Sequence, residues 1–338
     1  MFLDSFFSLM LFELGPAYAR AQCLCLNRER AYVHMANPAM VSIIMPNYRH
    51  AAYLRQRLDS VFAQDYPNFE IILLDDASTD DSDAILQEYA SRKQVKAYIR
   101  NEHNSGNTFL QWKKGFECAS GEYIWIAESD DVAAPNLLST LVRKLDEGAN
   151  LAFCASEWID SNGTPIPRRS SRPWNKDFRM DGLTFAKNYL LGYNYICNAS
   201  AVVWRKRALA NVTDTHLAFR ASGDRLFWIE LAMQGDVCYV AEKMNYFRQH
   251  TQKVSAPANK IGLNIVQDHD IYTFISPKLP LSNMDRRLIC GYHLRATMSP
   301  DLSEEGRQKA AAAWQQEKEY NTLSLFLYIL RQAWLKIK

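Results

Sequence analysis

Gly121-Glu-Tyr-Ile-Trp-Ile-Ala-Glu-Ser-Asp-Asp131 sets an apolar run directly against Glu128, Ser129, Asp130 and Asp131. A short apolar run with a glycine before it and a polar cluster after it reads as a strand covered on both faces. Working outward, Val41-Ser-Ile-Ile-Met45 is a similar run that ends at Pro46-Asn47-Tyr48, and Phe69 to Leu74 is another, closed by Asp75-Asp76-Ala77-Ser78. Val95 to Ile99 and Leu151 to Ile159 complete five strands. The segments between them have helical character. Ala51 to Gln64 puts Leu54, Leu58, Val61 and Phe62 on one face, and Thr108 to Cys118 stops at Ser120-Gly121. A third helix runs to about Ser91 from a cap at Ser78 or Thr79, with Asp80, Asp81 and Asp83 favourable in its first turn, and Pro135 opens a fourth that lasts to Gly148. Strands separated by single helices imply βαβ units and a mainly parallel sheet flanked by helices.

Beyond Ile159 the alternation stops. Residues 161–180 are rich in Pro, Arg and Ser and read as a loop, residues 181–255 regain helix and strand character, and residues 256–338 read as mostly helical. The expected organisation is an N-terminal extension (1–39), a first α/β half (40–160), a second half (161–255) and a helical C-terminal region (256–338).

Composition narrows the function classes. The 338 residues are 48% hydrophobic, with 39 Lys+Arg against 37 Asp+Glu, so the chain can bury a sizeable core and is not disordered. A net charge of +2 supplies no basic field, and nucleic acid is not an expected partner. Seven scattered cysteines, with Cys23-x-Cys25 the one close pair, lack zinc spacing and read as reduced thiols of a cytosolic protein. Met1 to Leu14 is apolar but interrupted by Asp4 and Glu13, without the positive start of a secretory signal. At the other end, Leu323, Leu325, Phe326, Ile329, Leu330 and Trp334 follow helical spacing ahead of Arg331, Lys336 and Lys338. That pattern fits a helix lying on a membrane surface or one docked on the core.

In an open parallel sheet, ligands bind beyond the carboxyl ends of the strands. The chain places polar residues there after the first, second and fourth strands: Asn47-Tyr48, Asp75-Asp76, and Glu128 with Asp130 and Asp131. Clustered acids are costly unless something satisfies them, and a divalent cation (Mn²⁺ or Mg²⁺) carrying a phosphorylated ligand does so. The alternative is helix caps and solvated turns. No Gly-x-Gly-x-x-Gly follows the first strand, and neither a P-loop nor a Gly-x-Ser-x-Gly elbow occurs.

Taken with Asn104-Ser-Gly106, the segments Val41–Tyr48, Asp75–Asp80 and Gly121–Asp131 resemble the successive signatures of glycosyltransferase family 2, four motifs in order over about 90 residues. Ser222-Gly-Asp224-Arg-Leu-Phe-Trp228 and Tyr246-Phe-Arg-Gln-His250 continue the resemblance more loosely, as far as about residue 255.

The resemblance implies a GT-A fold and a nucleotide-sugar donor. Tyr48 would stack on the base and Asp76 accept from a ring N–H, with Asp75 supporting the loop. Glu128 and Asp130 would take the family's Asp-x-Asp positions, facing ribose and metal, although the longer Glu128 leaves ribose or metal open for that residue. Pro46 and Ser129 would complete the donor pocket, Asp131 and His250 would join Asp130 around the metal, and Asp224 would be the general base, the alternative being a helix cap. The implied enzyme is an inverting, metal-dependent, non-processive glycosyltransferase, since Gln-x-x-Arg-Trp and spanning helices are both missing. Its acceptor would be a saccharide or lipid-linked hydroxyl in surface polysaccharide, O-antigen or glycolipid synthesis. Its setting would be cytoplasmic, with peripheral contact at the inner membrane face through the C-terminal helix. The rivals are a catalytically silent family member acting in an assembly and a sugar nucleotidyltransferase. The latter needs a Gly-rich basic loop where this chain has Pro-Asn-Tyr-Arg-His50.

Overall fold

The computed structural model describes residues 38–167, 174–196, 198–250 and 255–337. The expectations for residues 1–37, including Cys23 and Cys25, lie outside the described residues, as does Lys338. The chain divides after Met40, and every element named below belongs to the unit that begins at Val41.

Four strands run parallel in the order β3 (Val95–Arg100), β2 (Phe69–Asp75), β1 (Val41–Asn47), β4 (Tyr123–Ile126). Val41 pairs with both Phe69 and Tyr123, so these strands start level and their carboxyl ends emerge together, Asn47 beside Asp75 and Ile44 beside Ile126. The loop of acids after β4 therefore opens next to the ends of β1 and β2. All seven residues of β1 are buried, as its unbroken apolar pattern requires. Pro46 is tolerated inside this central strand because Ile44 and Pro46 face β4, and β4 has already ended where the missing N–H would have pointed.

The helices α1 (Ala51–Phe62), α2 (Ser82–Ala90), α3 (Thr108–Cys118) and α4 (Leu137–Asp146) fall within the predicted segments. The cap of α2 differs from expectation. Asp81 occupies the N-cap position, while Asp80 accepts from the Ala51 and Ser82 amides and so ties the start of α1 to α2.

Beyond β4 the sheet is mixed rather than parallel. β8 (Val202–Arg205) runs antiparallel between β4 and β6 (Leu151–Ile159), and β6 then pairs parallel with β9 (Val237–Arg248). The short strands β5 (Val132–Ala133) and β7 (Phe178–Met180) lie antiparallel against β9. The residues read as two halves, 40–160 and 161–255, thus share one sheet. An apolar pattern marks Leu151–Ile159 as a strand but carries no information that a later segment will insert beside it.

Two further helices sit over this part, α5 (Gly182–Phe185) and α6 (Gly223–Ala232). The C-terminal region is helical as expected: α7 (Ser255–Lys260), α8 (Leu263–Ile275), α9 (Asn283–Thr297), α10 (Glu304–Trp314) and α11 (Thr322–Ile337). Ser282 and Asp285 form a capping box at the start of α9. Trp314 is fully buried, stacks on His293 at 3.9 Å and donates to the Ile265 carbonyl, so it pins α10 to α8 and α9. No helix among the described residues is long and apolar enough to cross a membrane.

Candidate active site

The loops after β1 and β2 are built as one hydrogen-bonded unit. The Asn47 amide donates to Asp75 (2.8 Å) and to Ser78 Oγ (3.2 Å), while the Asp76 N–H donates to the Asn47 carbonyl. Asp75 is fully buried and accepts from Asn47, Arg100, and both the amide and hydroxyl of Ser78. Its lone pairs are used inside the protein, the geometry of a loop support.

Asp76 accepts on Oδ1 from Asn101, Gln111 and the Ser105 amide, and on Oδ2 from the Ser105 hydroxyl, which leaves Oδ2 room for one more donor. The Asn104-Ser-Gly106 motif is explained by this contact: the loop exists to clamp Asp76. Tyr48 projects beside it and is 41% exposed, with a ring face available for stacking.

Two residues here, Arg49 (φ 57°) and Ala77 (φ 58°), occupy the left-handed region. A Cβ costs roughly 1–2 kcal/mol in that conformation, and glycine adopts it freely. Ala77→Gly is therefore expected to stabilise the fold by about 1 kcal/mol, read from urea unfolding midpoints. An unchanged or lower midpoint would show that the neighbouring hydrogen bonds already relieve the strain.

The four residues after β4 diverge. The recessed Glu128 accepts from Trp112 Nε1 (3.0 Å), and its amide donates to Ser200 Oγ. Burial, followed by the charge of Asp130, raises its carboxyl to about 8. Ser129 is buried with Oγ 2.8 Å from His50 Nδ1. Asp130 lies 3.0 Å from His250 Nε2. Burial alone would lift the Asp130 carboxyl, but the His250 hydrogen bond and the two nearby histidines outweigh it, and the group sits below the usual carboxylate range.

Asp131 turns the other way. It accepts from Asn198 Nδ2 (2.9 Å) and the Arg248 amide (3.0 Å) and is fully buried; burial and then Asp130 raise it to about 6. Assigned to the metal on sequence, Asp131 instead anchors the loop to β9, because consecutive residues in an extended turn point to opposite sides. His50 stands where a third ligand could be: ligand atoms of His50, Asp130 and His250 all lie within 4.8 Å of one another, a set that could hold a metal ion.

The site rests on arginines that the motif reading passed over. Arg248 is buried and donates to the carbonyls of Asp130, Asp160 and Ser161 and to Gln56, with its guanidinium 4.7 Å from the Tyr53 ring centre. Arg57 is fully buried, lies 5.0 Å from the Trp125 ring centre, and has none of its three nitrogens hydrogen-bonded. Burial lowers it to about 10, and the charges of Asp131, Asp130 and Glu128 hold it up. It is the internal countercharge of the acidic loop. A charged residue on the apolar face of α1, between Leu54 and Leu58, was the sequence signal for it. For His50 the signal was weaker: an imidazole two residues past Tyr48 at a strand end.

Asp224 lies in the first turn of α6, and Ser222, not Asp224, is the N-cap residue. Asn194 Nδ2 approaches its carboxylate at 3.4 Å, and burial raises the carboxyl to about 6. A Cβ on Gly223 would fall 2.4 Å from the Phe109 ring, so α6 can approach α3 this closely only with glycine there. Trp112 on α3 packs against Phe227 and Trp228 of α6 and donates to Glu128, which ties the helix that carries Asp224 to the acidic loop. A cleft of about 750 Å³ opens beside His250, lined by Arg49, Tyr53, Asp80, Ser161 and Gln249 among others.

Known proteins share this architecture. Staphylococcus aureus TarS 1–349 in complex with UDP-GlcNAc superimposes with a TM-score of 0.54 over 87% of this chain and 92% of that one, at 16% identity. Its complex with UDP gives 0.52 at 18% identity. In sequence, the glycosyltransferase GlyG of Streptococcus pneumoniae is 32% identical over 108 residues, 32% of this chain and 36% of GlyG. An uncharacterized glycosyltransferase of Rickettsia typhi is 33% identical over 124 residues, 36% of this chain and 37% of its own length. The matched segments thus span little more than a third of these relatives. The model for glycosyl transferase family 2 matches residues 42–211, half of the chain, and takes in the loops after β1, β2 and β4 but not Asp224, Arg248 or His250. With that match and the GT-A fold, the chain belongs to glycosyl transferase family 2.

Proposed function

We propose that the protein transfers a sugar, with inversion, from a nucleotide-sugar to an acceptor hydroxyl, using a divalent cation held by His50, Asp130 and His250. The convergence of these three side chains beside Glu128, at the mouth formed by β1, β2 and β4, carries the reading. The residues fit a cation. Asp130 Oδ2 and His250 Nε2 stand 3.0 Å apart with His50 close by, so one carboxylate and two imidazoles would hold the cation together. His250 Nδ1 is buried without a hydrogen bond, and the Nε2 contact with Asp130 would give way to a cation shared by the two side chains. Two imidazoles and one carboxylate suit Mn²⁺ better than Mg²⁺, which favours oxygen ligands.

When bound, the cation neutralises charge on the leaving nucleoside diphosphate. Tyr48 stacks on the base, Asp76 offers its remaining Oδ2 lone pair to a ring N–H, and Glu128 faces the ribose; Asp75 and Ser129 hold their neighbours in place. Asp224 takes the acceptor proton as the hydroxyl attacks the anomeric carbon from the face opposite the leaving group, and the configuration inverts. The UDP-GlcNAc and UDP held by TarS support a uridine donor. The acceptor is a saccharide or lipid-linked hydroxyl, and the product belongs to a surface polysaccharide or glycolipid.

The test is a panel of UDP-, GDP- and dTDP-sugars assayed for thermal stabilisation and slow donor hydrolysis with and without Mn²⁺. One nucleotide series should raise the melting temperature only when Mn²⁺ is present. Stabilisation independent of metal would overturn the cation site. No stabilisation and no hydrolysis by any donor would overturn the enzyme reading in favour of a silent family member.

A further inference from the structure

The last helix, α11, is amphipathic with its apolar side outward. Leu323, Phe326, Leu330 and Trp334 recur at helical spacing along one stripe with Ile329 beside them, and these five side chains are between 42% and 57% exposed. The polar residues face the bundle. Ser324 is fully buried, Tyr328 meets Tyr292 of α9 edge-on at 5.7 Å, and Arg331 and Gln332 are partly buried. Close contact between the two helices fixes this orientation: a Cβ on Gly291 of α9 would lie 2.2 Å from the Ser324 carbonyl oxygen. The helix is therefore held by its small and polar side and cannot turn its leucines inward without losing that packing.

We infer that this face docks α11 in the plane of an anionic lipid bilayer. Charge argues for the lipid: between Thr322 and Lys338 the chain carries no acid, and besides the bundle-facing Arg331 it ends in Lys336 and Lys338. Length argues for lying flat. The sixteen residues of α11 rise about 24 Å, short of a span and interrupted by the buried polar side. Area argues against a second copy. The five side chains expose roughly 500 Å², below the ~800 Å² per partner of a standard protein interface, on a convex helix rather than a groove. Trp334 sits toward the basic end, where an indole favours the headgroup boundary. The inference does not depend on the reading of the active site.

The experiment is sedimentation of the full chain with vesicles of phosphatidylcholine alone and of phosphatidylcholine with equimolar phosphatidylglycerol. Alongside it, donor-induced thermal stabilisation is read, and the solution mass is measured by analytical ultracentrifugation. Binding to the anionic vesicles, weakened by salt, is expected. The double variant Phe326→Glu/Leu330→Glu should lower it about tenfold or more with its melting temperature and donor response unchanged. Should that variant fold poorly, Lys336→Gln/Lys338→Gln leaves the apolar face intact and should weaken anionic-vesicle binding about fivefold per lysine. Failure of the native chain to sediment, or equal binding by either variant, would overturn the inference. So would a native dimer that the glutamates convert to monomer, which would assign the face to a second copy.

Discussion

Asp224→Asn is expected to lower sugar transfer by about 10²–10⁴-fold while donor affinity stays within about twofold of the native value. The substitution keeps the shape of the side chain and its approach to Asn194, and removes only the capacity to take a proton. The proposed site of donor binding, at the ends of β1, β2 and β4, uses other residues. As the proposed base, the same group should set the acid limb of the pH profile. Burial raises the Asp224 carboxyl to about 6, and a general base acts in its ionised form, so turnover falls as pH drops through that value, by about tenfold per unit below it. An ordinary carboxylate would keep working a further two units lower. Calorimetric titration of the donor together with initial rates between pH 4.5 and 8 checks both parts. Native turnover by the variant, or a flat profile down to pH 5, would remove Asp224 from the chemistry and leave it as a first-turn acid stabilising α6.

The second large effect belongs to the metal. Asp130→Ala is expected to weaken Mn²⁺ binding about a hundredfold or more, and with it the Mn²⁺-dependent part of donor affinity. His50→Ala and His250→Ala should each cost about tenfold to a hundredfold, whereas Asp131→Asn should leave Mn²⁺ affinity nearly unchanged and lower stability instead. The contrast follows from direction: Asp130 faces the two imidazoles, and Asp131 is spent on Asn198 and the Arg248 amide. Direct calorimetry of Mn²⁺ without donor reads this apart from activity. If Asp131→Asn abolished metal binding and His50→Ala did not, the ligand set derived from the geometry would be wrong.

These experiments separate two kinds of information. The apolar runs at 41–45, 69–74 and 123–127 mark strands of the buried sheet, because a short, nearly unbroken apolar segment fits a strand covered on both faces, while 95–99 forms the partly exposed outer strand. Polar residues placed just after them reach the carboxyl ends of parallel strands by the geometry of a βαβ unit. For that reason Asn47, Asp75, Asp76, Glu128 and Asp130 were legible at their places along the chain, and so were the four flanking helices. The cap of α2 was not, because Ser78 and Asp80 are each drawn to a partner on another loop. Nor was the direction of β8, which depends on the whole excursion between Ile159 and Val202.

The sequence alone determined that this is an α/β chain with its acids gathered at strand ends, since hydrophobic periodicity and strand polarity are local properties. Only the tertiary structure decided which atoms meet there. It brought His50, eighty residues from Asp130 in the chain, and His250, a hundred and twenty away, into one cluster, and it turned Asp131 out of that cluster and buried Arg57 beneath it. It also decided that α11 shows Leu323, Phe326, Leu330 and Trp334 to the outside, a matter of which face the neighbouring helix grips. Pairings across such separations follow from how the elements pack, and packing is a property of the folded whole rather than of any segment.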